Sequence, residues 1–86
     1  MITLAQVQNK IGELEANLTG IDEQDRVKLA EIDILYWYKN SNNLRSEQEV
    51  NNKIIRLEEE MFFLSQQDVN YLTKSAKIKQ LQQVLT

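Results

Sequence analysis

Residues 46–86 read SEQEVNNKIIRLEEEMFFLSQQDVNYLTKSAKIKQLQQVLT, a run of 41 residues with neither Gly nor Pro. Every seventh residue carries one apolar line: Val50, Leu57, Leu64, Tyr71, Ile78 and Leu85. A second line, offset by four, begins with Ile54 and Met61 and turns polar at Asp68, Ser75 and Gln82. This spacing places one seam on one side of a helix and suits packing against another helix. The polar patch Ser65-Gln66-Gln67-Asp68 allows a kink, and Asp68 can cap a fresh helix, but no residue forces a stop. The stretch is therefore expected to run as one helix, about 60 Å long at 1.5 Å per residue. A lone helix of that length cannot bury its own seam. The rest of the chain, or another chain, must cover it.

Working back from this stretch, Ser46 with Glu49 forms a capping box that opens the long helix. Asn40-Ser41-Asn42-Asn43 before it is the clearest turn, since Asn and Ser bond their own backbone and Asn tolerates left-handed angles. Upstream, Val27, Ala30, Ile34 and Trp37 share one helical side, and Leu29, Ile32, Leu35 and Tyr36 widen the apolar area. A helix of that kind is expected to touch more than one neighbour. Thr19-Gly20-Ile21-Asp22 punctuates the chain: Gly20 suits a left-handed helix ending, and Asp22 can cap the next helix. The first helix starts at a second capping box, Thr3 with Gln6, and Ile2 can staple onto Val7. Leu4, Val7, Ile11, Leu14 and Leu18 give it one apolar face.

The expected organisation is a single all-α domain with helices at about 4–19, 23–39 and 47–85, and turns at 19–22 and 40–45. Short polar turns favour antiparallel neighbours. Folding about the Asn-rich turn sets Leu35 near Val50. Two arrangements with coiled-coil character then cover the seam. In a long hairpin the first two helices are collinear, and Val7 falls near Ile78. In a three-helix bundle the chain reverses at Gly20, and the last twenty or so residues project.

Composition bounds the function. Ten Lys and Arg against thirteen Asp and Glu give a net charge of −3, which disfavours general nucleic-acid binding. There is no Cys and no His, so thiolate sites and the usual near-neutral acid-base group are missing. Nothing in the sequence supplies a nucleophile, a phosphate-binding glycine loop or a small-molecule pocket, and neither a cofactor nor a metal is expected. Glu58-Glu59-Glu60 fans around a helix and reads as a solvated face. Lys74, Lys77 and Lys79 are the only charges of residues 69–86, while residues 1–43 hold four basic and seven acidic groups. Complementary charge between the two arms is the expected use of those lysines. Residues 1–10 lack a basic start and apolar core, and no apolar run is of membrane-spanning length. A cytoplasmic or virion-associated place is expected, and a viral or phage origin suits so short a chain.

Two constellations point to partners. Tyr36-Trp37-Tyr38 sends three aromatic rings to three sides of a helix, so one or two of them are expected to cap the end of the core. The alternative is a partner anchor, since Trp and Tyr are frequent at interfaces. Ile55, Phe62, Val69 and Ala76 repeat every seven residues one step round from the seam, and Phe63 carries that apolar surface further. Tyr36, Trp37, Tyr38, Ile55, Phe62, Phe63 and Val69 are thus the candidate partner-binding residues. Secreted helical hairpins of type VII secretion are of similar size and carry Trp-x-Gly at a central turn. Here Lys39 stands in place of that Gly, and Ser75 in place of the acid four residues after the tail Tyr, so the chain is not assigned to them. The expected function is a non-enzymatic protein–protein interaction module, an oligomeric adaptor or assembly factor that binds itself or another protein. The alternative is a small acidic inhibitor that blocks an enzyme or a nucleic-acid-binding protein.

Overall fold

The structure, a computed structural model, describes residues 1–40 and 43–86. Most helices begin where a side chain serves the free amides of the first turn. α1 (Leu4–Ala16) opens on the expected capping box: Thr3 Oγ1 accepts from the Gln6 N–H, and Gln6 Oε1 from the Thr3 N–H. α3 (Glu47–Met61) opens on the same device between Ser46 and Glu49. α4 (Val69–Leu85) is capped by Asp68, whose carboxylate accepts from the Asn70 N–H at 2.8 Å.

α2 (Asp22–Tyr38) differs. Its cap position is Ile21, which has no side chain to offer, and Asp22 is the first helical residue rather than the expected cap. Asp25, one turn in, serves the connecting turn before the helix and not the helix's own first amides. Its buried carboxylate accepts the Thr19 and Gly20 N–H groups at 2.9 and 2.8 Å and the Thr19 hydroxyl at 2.9 Å. Those donors hold its pKa below the ordinary carboxylate value, the Thr19 N–H foremost. Gly20 has the left-handed conformation expected of it, with φ of 86°, but it sits within the connecting turn and not at the end of a helix. α1 stops earlier than expected, at Ala16, where the Asn17 side chain turns back to the Glu13 carbonyl.

The one long helix expected over 47–85 is two helices. No dimension of the molecule exceeds 34 Å, whereas an unbroken helix would need about 60 Å. The break falls at residues 62–68. Tight turns bond Leu64 N–H to Met61 O and Asp68 N–H to Ser65 O, and Ser65 Oγ accepts from the Gln67 N–H. The polar patch that only permitted a kink thus supplies turn, hydroxyl and cap together. Reversal lets α3 and α4 cover each other's apolar sides, which a continuous rod cannot do. Lys74 of α4 meets Glu60 of α3 at 3.5 Å across the turn.

The chain also reverses at Gly20, which removes the long hairpin. α1 lies along α2, with Tyr38 Oη near the Ile2 carbonyl and Lys28 Nζ on the Asn17 carbonyl. The all-α fold is therefore a bundle of four helices among the described residues. The last helix does not project. α4 packs on both α2 and α3, and takes the place beside α2 that the expected α2–α3 pairing gave to α3. Its C-terminal end also meets the N-terminus, where the Ile2 N–H bonds the Val84 carbonyl and Lys10 reaches Gln83. The core joins Val7 and Ile11, Ile34, Leu35 and Tyr38, Val50, Ile54 and Leu57, and Ile78, Leu81 and Val84. Between α2 and α3, Lys39 pairs with Leu44 and Asn40 with Asn43 in a two-residue antiparallel ladder. Ser41 and Asn42 of the expected turn lie outside the described residues.

Candidate functional site: the aromatic corner of α3 and α4

The Tyr-Trp-Tyr triplet is divided by the fold. Tyr38 is completely buried, because the C-terminal turn of α2 tucks against the N-terminus, and burial raises its pKa. A side chain in that position cannot meet a partner, so Tyr38 leaves the candidate set. Trp37 is half-buried between two cations of its own chain. The Arg45 guanidinium lies 4.5 Å from the ring centre and the Lys53 ammonium 5.4 Å. Arg45 also donates to the Trp37 carbonyl at 2.7 Å and to Glu49 at 3.2 Å. Trp37 therefore ties the interhelical ladder to the start of α3. Tyr36 is exposed on α2 and lines one shallow depression together with Trp37 and Lys53.

The second candidate group behaves differently. Met61 ends α3, and the chain turns before Phe62 and Phe63 can follow the seam inward. Phe62 is 82% exposed and Phe63 is 87% exposed. Their rings touch edge to face, 5.3 Å apart with an angle of 83° between planes. Ile55, one helical stretch earlier, shares a hollow with both rings and with Glu58 and Glu59. Val69, where α4 starts, is also exposed. Ala76, last of that seven-residue line, is buried instead, because α4 is rotated to put Ala76, Ile78, Leu81 and Val84 inward.

Two features of this corner were not read from the sequence. The acidic run is exposed throughout, as expected, but its members differ: Glu60 is paired to Lys74, while Glu58 and Glu59 line the hollow beside the phenylalanines. A groove also runs between α3 and α4, lined among others by Met61, Phe62, Tyr71 and Ile78. Met61, Tyr71 and Ile78 all lie on the two apolar lines of the sequence, so the signal was present. Only the reversal at 62–68 turns that repeat into a groove.

No group of three or more metal-ligating side chains gathers among the described residues, and no described helix is long and apolar enough to cross a membrane. The chain matches no family model, no curated protein and no solved structure.

Proposed function

We propose that this chain is a non-catalytic protein–protein interaction module, an adaptor or assembly factor, and that the Phe62–Phe63 corner is its contact surface. The observation that carries this reading is the exposure of two adjacent Phe rings at the tip of a helical turn. Burying a Phe side chain is worth about 1.5–3 kcal/mol, and the isolated fold forgoes that twice at one point. Apolar surface concentrated in this way marks interaction sites more often than scattered single residues do. Ile55 extends the apolar area, and Val69 at the start of α4 and Tyr36 on α2 are further exposed apolar side chains.

The acidic inhibitor is the second reading, and one feature favours it. Glu58 and Glu59 rim the hollow against Ile55, Phe62 and Phe63, a combination suited to a basic partner segment with an apolar anchor.

A photo-crosslinking residue placed at Phe63 in cells tests the contact surface. It is expected to trap protein adducts, while the same probe at Gln8, exposed on α1, traps none. Equal yields at the two positions would contradict the assignment, and the mass of the adduct separates self-contact from a foreign partner.

A further inference from the structure

Phe62 borders two depressions at once. On one side lies the hollow with Ile55 and Phe63. On the other, Phe62 borders the α3–α4 groove of about 380 Å³, which takes Glu58 from α3 and Lys79 from α4 into its lining. Both are exposed, and neither forms an ion pair among the described residues. The one pair across these helices is Glu60 with Lys74. One face therefore presents a projecting ring, a groove of mixed apolar and polar lining beside it, and an unpaired acid and base on different helices.

Resting on the interaction reading above, we propose that this face binds a second copy of the chain about a two-fold axis lying along the groove. Such an axis sets α3 of each copy on α4 of the other, and every contact occurs twice. Phe62 then packs toward the second copy's groove beside Tyr71, and Glu58 faces the second copy's Lys79. The charges select this axis. Turning it across the groove sets α3 on α3 and brings Glu58 to Glu58, a like-charge contact. A stable interface takes about 800 Å² from each partner, about a seventh of this chain's 5723 Å² of accessible surface.

Sedimentation velocity on the intact chain, with light scattering, reads the assembly directly. The wild type is expected to be a dimer, and Phe62→Glu a helical monomer. Glu58→Lys alone and Lys79→Glu alone should each weaken the dimer by about tenfold or more. Mixing these two variants should restore it, because the mixed dimer has opposite charges at both contacts. That restoration cannot arise within a single chain. Should Phe62→Glu lose its helix, the charge variants still decide, since both positions are exposed. A wild type that stays monomeric at high concentration overturns the second-copy proposal, as does a mixture that fails to recover. If crosslinks from position 63 then reach a different protein, the interaction reading survives without the dimer. If they reach nothing, both fall.

Discussion

α3 and α4 come from one uninterrupted heptad pattern, yet they bury themselves in different ways. α3 keeps the pattern: Val50, Ile54 and Leu57 face inward, and its outer side is charged. α4 departs from it. Leu81 and Val84, on neither apolar line, are completely buried, while Tyr71 and Leu85, on the seam, are only partly covered. The cause is the number of neighbours. α3 packs mainly on α4, so one stripe suffices. α4 lies against both α2 and α3 and meets the N-terminus at its end, so its buried residues spread round the helix. A seven-residue repeat describes a helix with one neighbour and loses its authority for a helix with three.

The steepest losses of stability bear on that contrast directly. Leu81→Ala should destabilise the fold by about 2–5 kcal/mol, the range for a fully buried Leu, and Leu57→Ala should cost a similar amount. Leu85→Ala, on the seam but partly exposed, should cost distinctly less. Chemical denaturation of the three variants checks the ranking. A larger loss at Leu85 than at Leu81 would return α4 to the simple seam.

Smaller effects belong to the helix starts. Asp68→Ala should cost about 0.5–2 kcal/mol through the lost cap, and Ser46→Ala about the same. The two separate on another ground: Ser46 caps a helix under either description, whereas Asp68 is a cap only if α4 begins there. An unchanged unfolding midpoint for Asp68→Ala would argue for continuity across 62–68.

The Asp25 hub predicts a dependence on pH. Its folded pKa lies below the unfolded value of about 3.9, because the Thr19 and Gly20 N–H groups and the Thr19 hydroxyl favour the charged carboxylate. The stability it contributes is fully present above the unfolded pKa and is lost as pH falls through the folded pKa. Asp25→Asn should therefore destabilise the protein at neutral pH and flatten part of its acid-induced loss. Parallel acid titrations of the two proteins, with the same slope below about pH 4, would contradict this role.

Phe63→Ala should give the smallest change, within about 0.5 kcal/mol for the isolated chain, since its ring touches little beyond Phe62. A loss near that of Leu57→Ala would mean that the Phe pair belongs to a core.

The parts of the fold set by local chemistry were legible in the sequence. Both capping boxes and the left-handed Gly20 rest on residues a few positions apart, and short-range hydrogen bonds decide them. The break at 62–68 was not legible to the same degree. Ser65, Gln67 and Asp68 tolerate helix and turn alike, and the choice rests on long-range burial that α4 gains against α2. Asp25 was missed as the organiser of the α1–α2 turn because Asp22 has the better cap spacing; the carboxylate one turn further reaches back over five and six residues. At the candidate site, Phe62, Phe63 and Ile55 were picked out by falling off the seam. That one or two rings of the aromatic triplet join the core was legible, but that Tyr38 is the buried one was not, because its burial depends on the N-terminus, far away in sequence.

Everything at the exposed Phe62–Phe63 corner depends on residues 46–86 folding back on themselves. Spin labels on Glu58→Cys and Gln82→Cys read that reversal, since the chain has no cysteine of its own and both residues line one groove. The labelled chain is diluted with unlabelled protein, so that only distances within one molecule are read by pulsed electron resonance. The reversal places the labels within about 20 Å, given helix axes 8–10 Å apart. A single narrow distribution near 36 Å, the span of those positions on one straight helix, would contradict the reversal and the corner with it.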